Sequence, residues 1–274
     1  MKEKMISKEQ VRDFHPIFRG KHGDTFIKWG MKISGLDIAN EVYDKSKHLT
    51  GPAFCKDLLD KLGLKRTVVN GEMLESFKGK PFITVSNHAY GHVDGIAAIE
   101  TVNARVEHYK MMVNAILGLV DTMSDNFITV NPFVGDQMNS VAGLKQALRH
   151  IKNGHPLGFF PAGAIADFVW KNWHPAIEDR EWQPSVIRII QKANVPVIPM
   201  HFSGGNSTRY YMLRIFGRNV RTLGLCHELA NKKGKEMVIT IGEPITPDEI
   251  AQCPDVKDLG NFLKSKTYAL AKKK

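Results

Sequence analysis

The sequence predicts an α/β fold: a mixed, largely parallel sheet flanked by helices, with a helical N-terminal extension. Three observations predict it. After residue 65, short β-branched and apolar runs alternate with longer amphipathic segments, as strands alternate with helices in an α/β sandwich. Runs at 81–86, 156–160 and 196–202 each pass into a loop of small, polar or glycine residues, the kind of strand end at which such sheets bind ligands. Residues 1–65 carry helical spacing instead. They form the extension, and residues 66–274 form the α/β domain, with no repeat, linker or low-complexity segment.

Taken in order, Ser7-Lys8-Glu9-Gln10 has the pattern of a capping box. Phe26, Ile27, Met31 and Ile33, then Leu36, Ile38, Ala39 and Val42, give two amphipathic helices broken near Gly35. Gly51-Pro52 opens a third, with Phe54, Leu58, Leu59 and Leu62 apolar and Gly63 as its stop. These helices pack on the core, or act as a lid or membrane-facing cap. Thr67-Val68-Val69 with Asn70-Gly71 reads as strand and turn. Further strands are expected at 81–86, 106–112, 127–130, 156–160, 196–202 and 236–241. Helices are expected at 94–103, 139–153, 184–194, 219–233 and 247–272, the last broken near Cys253-Pro254. Helix 139–153 has the clearest period, in Val141, Leu144, Leu148 and Ile151, with Asn139 or Ser140 as cap and Gly154 as stop. Thr246-Pro247-Asp248-Glu249 is a well-formed helix start. Two prolines in Val195–Met200 imply an edge strand or irregular pairing, because proline cannot donate to a ladder.

Composition narrows the classes. The three cysteines, Cys55, Cys226 and Cys253, form no CxxC pair, which argues against a disulfide framework and for a reducing compartment. Met1-Lys2-Glu3-Lys4-Met5 is charged, and no apolar signal core follows it. The longest apolar stretch, Met111 to Val120, is about half of what a bilayer-spanning helix needs, and it carries Asn114. The expectation is a cytoplasmic protein, peripheral on the inner face of the cytoplasmic membrane. A net charge of +10 favours an acidic partner, either an anionic membrane surface or an acidic protein. No nucleic-acid motif is present, so no nucleic acid is expected. Arg218, Arg221, Lys232, Lys233 and Lys235 read as basic residues spread over helix-like segments, and Lys272-Lys273-Lys274 as a solvated tail.

The chemistry centres on residues 81–100. Phe82, Ile83, Thr84 and Val85 form a buried-type strand, Ser86 to Val93 a turn, and Asp94 a plausible N-cap before Ile96, Ala97, Ala98 and Ile99. His88 can take a proton from an alcohol or amine, and Asp94 can hold its tautomer and stabilise the imidazolium. The structural alternative is a loop histidine and a simple helix cap. His92 is a rival base, although neighbours two apart usually point away from one another. His88, His92 and Asp94 are also possible metal ligands, but the dinuclear His-x-His-x-Asp-His pattern is not met. Further on, Gly158 to Ala164 follows a strand. Pro161 and Gly163 allow a tight turn whose N–H groups could hold an anionic headgroup or an oxyanion. Ser203 to Ser207 is another glycine-containing loop, or a plain turn.

Together these pieces resemble the glycerolipid (lysophospholipid) acyltransferase superfamily over roughly residues 65–245. The ordered blocks are Asn87-His88 with Asp94, Phe127-Ile128, Phe160-Pro161-Ala162-Gly163, and Val195 to Pro199. Three departures stand out. The interval is His-x5-Asp rather than His-x4-Asp; Thr129, Val130 and Asn131 stand where the second block carries arginine; and Ala162 replaces the glutamate of the third block. The sequence is more similar to the hemolysin-like branch that acylates lyso-aminolipids such as lyso-ornithine and lyso-glycine lipids. That branch shares Phe-Pro-Ala-Gly, a Trp-bearing stretch (Asp179 to Trp182), the Gly205-Asn206-Ser207 loop, a late helix at Glu228 to Lys235, and Ile241-Gly242-Glu243-Pro244-Ile245.

The resemblance implies a glycerolipid-acyltransferase-like fold and a lipid O-acyltransferase. In it His88 is general base with Asp94, and Asn87, Phe160, Pro161 and Gly163 are at the substrate. It implies acyl-acyl carrier protein or acyl-CoA as donor, a lyso-lipid as acceptor, and no bound cofactor or metal. The competing readings are a 1-acylglycerol-3-phosphate acyltransferase, a metal-dependent hydrolase using His88, His92 and Asp94, and a non-catalytic lipid-binding module.

Overall fold

The computed structural model describes residues 23–114, 120–130, 137–171, 173–217, 221 and 224–271. The expected capping box at Ser7–Gln10, the middle of the Met111–Val120 stretch, Asn131 and the lysine tail lie outside them. Helices α1 (Gly23–Ser34), α2 (Leu36–Ser46) and α3 (Gly51–Lys61) come first, and the break between the first two is at Gly35, whose φ of 74° suits glycine. Seven strands form one sheet in the order β1 (Lys65–Val69), β9 (Glu236–Ile241), β8 (Val197–Phe202), β2 (Ile83–Ser86), β5 (Leu157–Phe159), β3 (Lys110–Asn114), β4 (Phe127–Val130). Every adjacent pair is parallel except β8 with β9. This is the mixed, largely parallel sheet expected from the sequence.

Alternation along the strands builds two cores. Phe82, Ile198, Met200 and Phe202 share an apolar cluster with Tyr43, Phe54 and Leu59 of the N-terminal helices and with Ala97 and Ile99 of α4 (His92–Asn103). Ile83, Val85, Leu157 and Val197 face the other way. They meet Ala147 and Ile151 of α5 (Gln137–Lys152), Ile187 and Ile190 of α6 (Pro184–Ala193), Ile250 of α9 (Pro247–Ala251), and Leu259 and Leu263 of α10 (Val256–Ala269). β2 and β8 are buried along their whole length, as strands covered on both faces must be.

Several expectations are corrected. β8 lies inside the sheet, so its two prolines do not mark an edge. Pairing is irregular instead. Pro199 accepts from Gly242 N–H and Val197 exchanges bonds with Ile245, so the chain leaves the ladder where a Pro199 donor would have been needed. α4 begins at His92 behind Gly91, which places Asp94 in the first turn rather than at the cap. α5 begins at Gln137, so Asn139 and Ser140 are not its cap. The helix expected over 219–233 is broken by a turn at 224–226 before α8 (His227–Ala230), and Lys232, read as a surface charge, is fully buried. An antiparallel hairpin, β6 (Asp167–Lys171) with β7 (His174–Glu178), was not expected: its turn lacks the usual glycine signal. A short helix, α7 (Thr208–Met212), and a 3-10 turn, Leu213–Phe216, follow β8. Among the described residues no helix is long and apolar enough to cross a membrane.

Candidate active site

Because β2, β5 and β8 run parallel, their C-terminal ends lie along one edge of the sheet. His88, Phe160 and Ser203 emerge there together. Asn87 fixes the start of the first loop. Its buried side-chain amide donates to the Phe202 carbonyl at 3.0 Å and accepts from Phe202 N–H at 2.8 Å, so both of its ends are engaged on β8. The next residue, His88, is held by its backbone on both sides. Its carbonyl accepts from Ala166 N–H at 2.8 Å, and its N–H donates to the Asp179 carboxylate at 3.1 Å.

The His88 ring closes the pair that the sequence suggested. Nδ1 lies 3.1 Å from Asp94 Oδ2, across the five-residue interval. The interval closes because Gly91 adopts φ 97°, a conformation open to glycine, and α4 then starts at once. Asp94 is fully buried. Its Oδ2 also accepts from Tyr90 and Gly91 N–H, at 2.9 and 3.2 Å, and its Oδ1 accepts from Gly95 N–H at 2.9 Å. These donors hold the carboxylate in position. Phe160 stacks on the imidazole, with ring centroids 4.2 Å apart at 22°. The side chain of His88 keeps 18% exposure, and Nε2 makes no hydrogen bond among the described residues. Burial alone would lower the imidazole pKa. The charge and hydrogen bond of Asp94, with a further contribution from Asp179, outweigh it, so the pKa sits above the ordinary value.

His92 differs on each point. It has no hydrogen bond to Asp94, its Nε2 is buried without a partner, and burial holds its pKa down at about 4. Among the described residues no group of three histidine, cysteine or acidic side chains is arranged to hold a metal ion.

The third block forms a β-turn. Gly163 N–H donates to the Phe160 carbonyl at 2.9 Å, with Pro161 at the second position and Gly163 at φ 59°. The positive φ favours glycine here, and a Cβ would in addition have to displace the Gln183 side-chain amide, whose Nε2 would lie 2.1 Å away. Arg180 Nε braces the turn through the Ala162 carbonyl at 2.7 Å. Since the Gly163 N–H is engaged, the N–H groups of Ala164 and Ile165, which make no hydrogen bond among the described residues, are the donors this segment can offer.

Three residues that motif reading did not single out complete the scaffold. Asp179, buried after β7, accepts from His88 N–H and from Trp182 Nε1 at 3.1 Å, and burial raises its pKa. Tyr268 of α10 receives the Asp179 N–H at 2.7 Å. Lys232 donates to Asn206 Oδ1 at 2.9 Å and lies 4.6 Å from the Tyr90 ring centroid. Asn206 in turn donates to the Tyr90 carbonyl at 3.1 Å, on the histidine loop. Apart from Glu228, four residues before Lys232 and 3.5 Å from it, these partners are distant in sequence, although Asp179, Asn206 and Lys232 fall in stretches on which the resemblance rests.

The chain is similar to several known proteins. A protein called lyso-glycine lipid O-acyltransferase from Bacteroides thetaiotaomicron is 25% identical over 254 residues, covering 89% of each chain. One of the same name from Phocaeicola vulgatus is 25% identical over 275 residues, covering 94% of each. Among solved structures, the 1-acyl-sn-glycerophosphate acyltransferase PlsC from Thermotoga maritima aligns over 80% of this chain and 76% of its own, with 18% identity and a TM-score of 0.49. A family model described as acyltransferase matches residues 39–274, which takes in the histidine loop, the third-block turn and the whole sheet. On that match the chain belongs to the acyltransferase family.

Proposed function

We propose that the protein is a lyso-lipid O-acyltransferase with His88 as general base. The observation that carries this is the His88–Asp94 pair, with Nδ1 committed to the carboxylate and Nε2 without a hydrogen bond among the described residues. The acceptor hydroxyl gives its proton to Nε2 as its oxygen attacks the carbonyl of an acyl thioester. Asp94 holds the tautomer and stabilises the imidazolium. The tetrahedral oxyanion meets the N–H groups of Ala164 and Ile165. Collapse expels the thiolate, which takes the proton from His88, leaving an ester and a free thiol. The balance needs no bound metal or cofactor. Phe160 and Pro161 line the approach to the imidazole, Gly163 shapes the turn, and Asn87 positions His88 through β8.

The donor is acyl-acyl carrier protein or acyl-CoA, and the acceptor is a lyso-aminolipid of the lyso-glycine kind. The names of the two bacterial relatives support that acceptor. So does the uncharged composition of Thr129 and Ala162, since phosphate recognition favours arginine. The protein works in the cytoplasm on the inner face of the cytoplasmic membrane, its net charge of +10 drawing it to anionic lipid. The test is kcat/KM for lyso-glycine lipid and for lysophosphatidate with one thioester donor, beside His88→Ala. The expected result is a preference for lyso-glycine lipid and no transfer by the variant. A preference for lysophosphatidate would establish the glycerophosphate reading instead, and a fully active His88→Ala would remove the mechanism.

A further inference from the structure

The hairpin β6–β7 carries one apolar face that is largely exposed. Phe168 and Ile177 are directly paired across the strands, so they share a face, and Trp170 lies two residues along from Phe168 on that same side. Phe168 and Ile177 are exposed, Trp170 is 77% exposed, and Trp173 in the turn is 94% exposed. The adjoining segment adds Met212, Ile215 and Phe216, the last two 79% and 72% exposed. The two pieces are joined. Phe168 packs on Tyr211 with ring centroids 5.0 Å apart, and Asp167 pairs with Arg214 at 2.7 Å.

Trp173 adds an independent indication. Its φ is 64°, in the left-handed region that disfavours bulky residues and that asparagine or glycine would fill more easily. A large apolar side chain held in solvent at a conformationally costly position is explained by what the side chain touches outside the protein.

We propose that the β6–β7 hairpin and the 208–216 segment form a finger that docks this protein on an anionic bilayer, with its base setting the catalytic histidine relative to the lipid surface. Tryptophans at a projecting tip suit the membrane–water interface, where a ring is half buried and half wet. The charges beside the face have the matching sign. Arg209 and Arg214 are exposed there, and Asp167, a carboxylate at the root of the hairpin, is neutralised by Arg214 and Arg221, each at 2.7 Å. The base of the finger is the histidine loop itself. Ala166, immediately before β6, donates to the His88 carbonyl, and Asp179, immediately after β7, accepts from the His88 N–H. A lipid taken from the surface that the finger touches would therefore enter beside Nε2. This rests on the reading of the acceptor as a membrane lipid.

The test is co-sedimentation of the full-length protein with vesicles of phosphatidylcholine and phosphatidylglycerol. Trp170→Ala/Trp173→Ala should weaken binding by about tenfold or more, while Trp29→Ala on α1 binds as the wild type does. Trp173→Gly separates docking from folding, since it should raise the melting temperature by relieving the left-handed backbone and still weaken vesicle binding. Transfer to lyso-lipid kept below its micelle concentration should persist in all three. Vesicle binding is read without donor or turnover, so a wrong acceptor would show as absent transfer with binding intact. Wild-type vesicle affinity in the double variant overturns the proposal, as does loss of binding only in Trp29→Ala. So does a double variant that binds vesicles normally but loses affinity for acyl carrier protein, which would make the finger a protein-docking surface.

Discussion

Replacing Asp94 by asparagine tests the catalytic pair with the least change of shape. The carboxylate accepts from His88 Nδ1, Tyr90 N–H and Gly91 N–H on one oxygen and from Gly95 N–H on the other. With its oxygen in the Oδ2 position, asparagine keeps the first three contacts and turns an NH2 toward Gly95 N–H. Flipped, it turns the NH2 toward Nδ1 and selects the wrong tautomer. Either way the buried negative charge opposite the imidazolium is gone. The expected loss is about 10²–10⁴-fold in kcat/KM, or about 2.7–5.4 kcal/mol of transition-state stabilisation. The pH profile adds a signature that a merely structural defect would not give. A general base must be neutral, so activity rises with pH through the His88 pKa, which Asp94 holds above its ordinary value. In Asp94→Asn the imidazole titrates lower, and the acid limb moves to lower pH while the plateau falls. Asp179 remains beside His88, so the shift is partial. An undiminished plateau, or an acid limb that stays in place or moves to higher pH, would refute the assignment.

Other perturbations read the scaffold. His92→Ala should cost far less transfer than His88→Ala, because His92 makes no hydrogen bond to Asp94; equal losses in the two would contradict the choice of base. Gly163→Ala should destabilise the fold by about 1 kcal/mol or more, because the left-handed backbone disfavours a Cβ, while the Gln183 amide facing that Cβ can swing aside; an unchanged melting temperature would show that the turn yields. Lys232 should give a stability slope in alkali. Burial lowers its folded pKa from 10.5 to about 8, so between those values the unfolded chain binds more protons and stability rises with pH, by at most about 1.4 kcal/mol per unit. Lys232→Met should flatten that rise in chemical denaturation series, and an identical slope in the variant would mean another group causes it.

How far the sequence could be read depended on the range of the interaction. The strand–loop–helix at 81–103 was legible because Pro81, the β-branched run and the glycines are local signals, and the sheet class followed from alternation. The exact start of α4 was not, because asparagine, aspartate and glycine all cap helices. Gly91, with its unusual φ, rather than Asp94 takes that role here. The burial of Lys232 was invisible for a different reason: a lysine reads as surface unless its partners are known, and Asn206 and Tyr90 lie far from it in sequence. Likewise two prolines left an edge and irregular pairing both open, since only the course of Gly242–Ile245 shows that the interior strand needs no donor from Pro199.

The same long-range contacts explain why a histidine on a loop can keep a fixed geometry. Loop catalysts need a rigid frame, and His88 has one on each side. Asn87 ties the preceding residue to β8 through two hydrogen bonds, and Asp94 ties the following turn to α4. Ala166 and Asp179 grip the His88 peptide groups, while Asn206, itself held by Lys232, grips Tyr90. The clamps come from separate parts of the chain, so a shift in any of them is felt at the histidine loop through one or two hydrogen bonds. That makes the departures in the motif blocks separable by role. The longer His-x5-Asp interval leaves the pair intact, because Gly91 absorbs it. Ala162, where the family pattern has glutamate, is buried in the second apolar cluster, and the turn around it is held through the backbone by Arg180 and Gly163. In this chain the His88–Asp94 geometry therefore stands without a charged side chain at position 162.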